Sequence, residues 1–239
     1  MRRRFFVEQF DADRAVLRGE AAHHLGRVLR AEPGQLYELS DGEHARLGRV
    51  EKVGRERVEF ALLEELPAYV PTLMLTLLLA VVKFDRFEWA LEKATELGVS
   101  VIVPLAAARS EKALVRASPK RAGRWQKILL ESSQQSRRVR LPVLEPLARP
   151  DAAFVGRREA LRLLLSERTE APAMRSVLEG SESRGVVLAA GPEGGWTEEE
   201  FAAAQKAGFR EVSLGKAILR TETAVAAGLA TLNYALGEG

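Results

Sequence analysis

The 239-residue chain contains no cysteine. Disulfides, thiolate zinc sites and catalysis through a cysteine nucleophile are therefore excluded. Histidine is scarce: His23, His24 and His44 all fall in the first fifth of the chain. They are expected in structural or polyanion-facing roles, away from the centre of any acid–base chemistry, and no metal site is expected. Long apolar runs are also missing. The longest, Leu73 to Val82, contains Thr76 and is too short to cross a bilayer. Arg2-Arg3-Arg4 is followed by no apolar stretch of leader length, so no secretory signal is expected. Together these absences predict a cytoplasmic protein with no membrane partner.

What is present fits a globular chain of one or two domains, with 46% hydrophobic and 29% charged residues. The net charge of +3 is unevenly spread. Residues 109–149 hold eleven Lys and Arg against three Asp and Glu, a local surplus of +8, while the segments on either side are slightly acidic. Such a block is a candidate surface for a polyanion.

The stretch from Gly185 to Leu236 organises the rest. Val186-Val187-Leu188-Ala189-Ala190 reads as a short buried strand leading into Gly191-Pro192-Glu193-Gly194-Gly195. A helix follows, with Thr197 as N-cap, Glu200 closing a capping box, Trp196 stapling onto Phe201 and Gly208 as the stop. A glycine-rich turn between strand and helix is where open α/β sheets bind ligands. This turn lacks both G-x-G-x-x-G and the Lys-Ser/Thr of a P-loop. Glu193 inside it would repel a phosphate, so a neutral or cationic ligand with hydroxyls is favoured over a tight structural turn. Val212-Ser213-Leu214 is read as another strand, Gly215 to Arg220 as a loop, and Thr221 to Leu236 as a helix. With no charge after Glu222, that helix is expected to be buried on most sides. The two strand–loop–helix units are expected side by side, opening on one sheet edge.

Residues 1–66 read as a small β-rich domain. A strand begins at Arg4-Phe5-Phe6-Val7, and a short helix covers about Glu20 to Arg30 before the turn Glu32-Pro33-Gly34. Leu36 to Leu39 leads into a hairpin at Asp41-Gly42, and further strands run over Arg46–Val53 and Arg57–Leu63. Pro67 to Pro71 reads as a linker. Thr72 to Val82 is a strand buried on both faces, followed by a helix capped by Asp85 and Glu88 and ended by Gly98, then a strand at Val101 to Pro104. Pro119 to about Gln134 is helical, Ser132 to Arg140 is rich in serine, glutamine and arginine, and Ala160 to Leu165 is another strand. Alternating strands and helices predict a parallel sheet.

Gly191-Pro192-Glu193-Gly194-Gly195, followed by Leu214-Gly215-x-x-Ile218-Leu219-Arg220-Thr221-Glu222-Thr223-Ala224, resembles the ribosomal RNA small subunit methyltransferase E family of SPOUT methyltransferases. The start Arg4-Phe5-Phe6-Val7, His24-Leu25-x-x-Val28-Leu29-Arg30 and Gly34 resemble that family's PUA-like domain, and Gln135-Ser136-Arg137-Arg138 matches a Gln-Ser-x-Arg element. The chain departs from the family pattern with Gln134 in place of glutamate and Ala217 in place of arginine, with Lys216 beside it. The resemblance implies an α/β fold: a PUA-like β-barrel over 1–68 that binds RNA, then a SPOUT domain over 72–239 with a parallel sheet and a C-terminal trefoil knot. It implies S-adenosylmethionine-dependent methylation of uridine N3 in 16S ribosomal RNA by a homodimer; the missing cysteine already removes methylation at pyrimidine C5. Leu165, Gly191 to Gly195, Leu214, Gly215 and Ile218 to Arg220 would hold the cofactor. Arg220 would stabilise charge on the base and Glu222 would accept the N3 proton, although a first-turn acid is equally well placed simply to complement the helix dipole. Arg4, Arg30, Gln135, Ser136, Arg137, Arg138 and Arg140 would face the RNA. Ribose 2′-O-methylation and non-catalytic RNA binding in ribosome assembly are the competing readings.

Overall fold

The structure is a computed structural model that describes residues 3–67 and 71–237. Residues 68–70 of the expected linker, and Arg2 of the basic start, lie outside the described residues. Backbone contacts divide the chain into two compact units. The first is Met1–Val70 together with Leu130–Leu141, and the second is Pro71–Leu129 together with Pro142–Gly239.

The first unit contains a six-stranded sheet of β1 (Arg4–Phe6), β2 (Phe10–Asp11), β3 (Arg14–Arg18), β4 (Leu36–Ser40), β5 (Ala45–Val53) and β6 (Arg57–Glu65). Its order is β1-β4-β5-β6-β3-β2, antiparallel except where β1 meets β4. Alternate residues turn inward: Ala15 and Leu17 from β3, and Val58, Phe60 and Leu62 from β6, meet Phe5, Leu25 and Leu39 in one core. At the β4–β5 turn, Gly42 takes a φ of +94° and the Asp41 carboxylate accepts the amides of Glu43 and His44 at 2.9 and 2.7 Å. Burial pushes the Asp41 pKa up, but these bonds and the His44 side chain outweigh it and leave the group below its ordinary value. The helix expected from Glu20 to Arg30 is broken into one α-turn, α1 (Gly19–His23), and a wider π-turn over His24–Val28. The Leu29 amide reaches back five residues to the His24 carbonyl at 3.0 Å. A Cβ on Gly26 would lie 3.0 Å from Val53 Cγ1, so the widened turn sits tightly against β5.

The second unit is built on β7 (Met74–Ala80), β8 (Val101–Leu105), β9 (Val143–Leu144), β10 (Leu161–Leu165), β11 (Gly185–Ala190) and β12 (Arg210–Val212). They form one parallel sheet in the order β12-β10-β11-β7-β8-β9. The near-continuous apolar strands are explained by cover on both faces. Leu75, Leu77, Val186, Leu188, Leu163 and Leu165 face one layer, made by α2 (Phe84–Glu96), α6 (Met174–Leu178) and α8 (Thr221–Leu236), with Trp125 and Leu129. Leu78, Ala80, Val187 and Ala189 face Phe154 of α5 (Pro150–Val155) and Ala204 of α7 (Glu198–Lys206).

Several expectations are corrected. α2 is not opened by a capping box: its N-cap is Lys83, without a side-chain bond, and Glu88 instead accepts Arg124 Nε at 2.7 Å. The basic segment begins with an unexpected helix, α3 (Lys112–Ala117), which fully buries no residue and packs only Leu114 and Val115 against the core, too short a stripe to read from the sequence. A 3₁₀ turn over Ser118–Arg121 then leads into α4 (Ala122–Gln135), whose last residues belong with the first unit. β12 ends at Val212, because Ser213 Oγ accepts the Gly215 amide at 3.2 Å and donates to the Gly215 carbonyl at 2.9 Å, closing a turn. β10 lies between β11 and β12, so the two strand–loop–helix units are separated by one strand.

α8 is not buried on most sides within the chain. One face, with Val225, Gly228, Leu229 and Leu232, sits on the sheet, while Tyr234 is 93% exposed. Its lack of charge reflects alanine and glycine rather than an all-round apolar surface. Gly228 allows the close approach, since a Cβ there would lie 3.0 Å from Leu188 Cδ2. Among the described residues no helix is long and apolar enough to cross a membrane.

Candidate ligand cleft and basic segment

The loops that follow β10, β11 and β12 all leave the C-terminal edge of the parallel sheet. Together they wall a cleft of about 280 Å³. This is the edge at which open α/β sheets place ligands. Of the residues expected to hold a cofactor, Leu165, Gly191, Pro192, Glu193, Gly195, Leu214, Gly215, Ile218 and Leu219 line the cleft. Gly194 and Arg220 are not among its lining residues. Ile218 is 79% exposed, so its apolar side chain is available to a ligand.

The walls are fastened by contacts between distant segments. Trp196 is buried against Phe154, and its indole Nε1 donates to the Leu165 carbonyl at 3.1 Å, tying the β11 loop to the end of β10. Gly191 is needed beside it, because a Cβ there would fall 3.0 Å from the indole. The Thr221 hydroxyl, at the start of α8, donates to the Gly191 carbonyl at 2.9 Å. Gly195 takes a φ of +69° and returns its amide to the Pro192 carbonyl at 2.8 Å. The capping box of Thr197 and Glu200 opens α7 as the sequence indicates. Glu200 also accepts the Ala108 amide at 2.8 Å, fixing the loop after β8.

Charge around the cleft comes largely from residues outside the motifs. Arg109 Nη1 donates to the Gly194 carbonyl at 2.7 Å. Arg168 stacks 3.6 Å over the Phe201 ring and pairs with Glu198, whose carboxylate raises the guanidinium pKa further. Arg86, in the first turn of α2, places Nη1 2.9 Å from Glu193 Oε1 and Nε 3.9 Å from Glu222 Oε1. Arg220 is exposed at the N-cap of α8, and the cation beside Glu222 is Arg86. Sequence reading missed Arg86 and Arg109. The available signal was position alone: each follows the C-terminal end of a strand, β7 or β8, on the edge where the ligand loops gather.

The residues expected to face RNA belong to the first unit, and they divide. Arg4 is 5% exposed; its guanidinium meets Glu38 Oε2 at 3.0 Å and the Arg137 carbonyl at 2.5 Å, so it is an internal tie and not a surface contact. Arg30, Gln135, Arg137 and Arg140 are exposed. Ser136 is half-buried and bonds to the Ser132 carbonyl at 2.7 Å. Arg137 takes a φ of +57°, a turn that releases the chain from α4, and lies 3.6 Å from Glu38. Arg138 Nε donates to the Arg140 carbonyl at 3.1 Å, and burial lowers its pKa. Arg140 Nε donates to the Gly42 carbonyl at 2.7 Å. Among the described residues no cluster of His, Asp and Glu is arranged to hold a metal ion.

Residues 70–233 match the RNA methyltransferase domain family, and residues 17–63 match the RNA methyltransferase PUA domain family. The chain is 35% identical over 232 residues to the ribosomal RNA small subunit methyltransferase E of Synechocystis sp., covering 90% of this chain and 71% of that protein. The crystal structure of a ribosomal RNA small subunit methyltransferase E from Neisseria gonorrhoeae bound to S-adenosyl methionine is 32% identical and covers 99% of both chains, with a TM-score of 0.89. A Legionella pneumophila protein solved in complex with the bound cofactor SAM is 28% identical over the full length of both chains, with a TM-score of 0.90. The chain belongs to the ribosomal RNA small subunit methyltransferase E family.

Proposed function

We propose that the protein methylates N3 of a uridine in small-subunit ribosomal RNA, using S-adenosylmethionine, and acts as a cytoplasmic homodimer. The observation that carries the reading is the three-walled cleft with Glu193 on its lining and Glu222 joined to it through Arg86. The cleft suits the methyl donor. Gly191 lets the loop pack against Trp196; Leu165, Leu214 and Ile218 offer apolar contact to an adenine, and Glu193 favours a ligand that is cationic and carries hydroxyls.

When bound, the donor supplies an electrophilic methyl on a sulfonium; the carbon–sulfur bond breaks with its electron pair going to sulfur as the carbon–N3 bond forms. The chain's own residues do the rest. The glycine loop and the β12 loop position the reactants, an effect that supplies much of the rate in a displacement. Glu222 accepts the proton that N3 must lose, and Arg220, exposed at the head of α8, stabilises charge on the flanking carbonyls. Arg30, Gln135, Arg137 and Arg140 contact the RNA backbone. The uncharged, half-exposed face of α8 supports its burial in a dimer, and the trefoil knot belongs to the same reading; tracing the chain through an experimental electron-density map tests the knot.

The test of the function is nucleoside mass spectrometry of ribosomal RNA from cells lacking the protein. One 3-methyluridine is expected to disappear and to return when purified protein, donor and small subunits are mixed. A methyl group found on ribose, or no change, overturns the reading.

A further inference from the structure

Arg86 carries a second role that no motif assigns. It stands where the β11 loop meets the first turn of α8, half-buried, with one guanidinium shared between two carboxylates. Among the described residues it is the one cation within 4.0 Å of Glu222. Glu222 is itself mostly enclosed, with a side chain 13% exposed. Its Oε1 faces Arg86, whereas its Oε2 is buried and has no hydrogen-bond partner among the described residues. A buried carboxylate oxygen without a donor is costly. A single guanidinium holding two acids also leaves one negative charge uncompensated, so the orientation of Glu222 depends on Arg86.

We infer that Arg86 is a positioning residue for methyl transfer: its ion pair to Oε1 holds the Glu222 carboxylate in the orientation from which it takes the imide proton of the bound uracil. The same guanidinium fixes Glu193 on the cleft wall, linking the occupied cleft to the acid that receives the proton. This inference rests on the assignment of Glu222 as proton acceptor, and the two are separable by experiment.

Single-turnover methylation of small subunits is measured for Glu222→Gln, Arg86→Ala, Arg86→Lys and the double variant Arg86→Ala/Glu222→Gln, alongside calorimetric binding of S-adenosylhomocysteine and thermal melting. Loss of an acid–base group slows the step by about 10²-fold, the fall expected for Glu222→Gln. Arg86→Ala is expected to slow it by about tenfold, the double variant to be no slower than Glu222→Gln alone, and Arg86→Lys to recover part of the rate. Cofactor affinity and melting temperature are expected to stay close to wild type in Arg86→Lys. A wild-type rate for Arg86→Ala, or multiplicative losses in the double variant, overturns the positioning role. Loss of rate in Arg86→Ala only in step with cofactor affinity or melting temperature also overturns it, because it marks a structural tie. A wild-type rate for Glu222→Gln removes the proton-acceptor assignment itself.

Discussion

Gly191→Ala is the sharpest probe of how the cleft is held. The backbone at this glycine is not in the left-handed region, so alanine adds only a methyl group. That methyl would lie 3.0 Å from Trp196 Cε2, 3.1 Å from Nε1 and 3.3 Å from Cδ2, and the ring would have to retreat by a few tenths of an ångström. Trp196 has little room, being 3% exposed with Phe154 against its ring. Overfilling a packed site costs about 1–3 kcal/mol. Retreat also stretches the 3.1 Å bond from Nε1 to the Leu165 carbonyl, which contributes about 1 kcal/mol. A net loss of about 2–3 kcal/mol lowers the melting temperature by about 4–12 °C for a chain of this size. The same displacement separates the β10 and β11 walls, so S-adenosylhomocysteine affinity is expected to fall by at least about tenfold, equivalent to about 1.4 kcal/mol. Differential scanning fluorimetry and calorimetry measure the two effects. Trp196→Phe removes the Nε1 donor but makes room, so adding Gly191→Ala to it is expected to cost much less than in the wild type. A wild-type melting temperature and unchanged affinity for Gly191→Ala would refute the fastening of the cleft by Trp196.

Two further predictions concern the first unit. Arg4→Ala leaves the Glu38 carboxylate buried with only Arg137 nearby, at 3.6 Å, and is expected to cost about 3 kcal/mol in urea unfolding while leaving the salt dependence of RNA binding unchanged; an unaltered midpoint with a shallower salt slope would contradict this. Replacing the exposed Arg137 and Arg140 by glutamine is expected to reduce the slope of log K against log salt by about 1 for each side chain, and a slope equal to wild type would remove this segment from the RNA surface.

How much of this was legible in the chain depends on the range of the interactions involved. The capping box of Thr197 and Glu200 closes within one turn, and Gly98 and Gly208 stop α2 and α7 with φ values of +89° and +80°. Those features needed nothing beyond their neighbours. The run at 186–190 likewise announced a buried strand, because cover by two apolar layers leaves no polar position in it. The Asp85–Glu88 pattern failed for the opposite reason: Glu88 had a stronger partner in Arg124, 36 residues away, and a tertiary ion pair displaced a local cap.

By itself, then, the sequence determined the parallel α/β class, the glycine-rich turn and the basic segment, since periodicity, capping and charge are properties of adjacent residues. Only the tertiary structure decided that β10 separates the two ligand loops, that Arg4 is an interior tie, and that Arg86 joins Glu193 across 107 positions of chain. Strand order and the meeting of charges from distant loops are set by how whole layers pack, and no window of neighbouring residues contains that information.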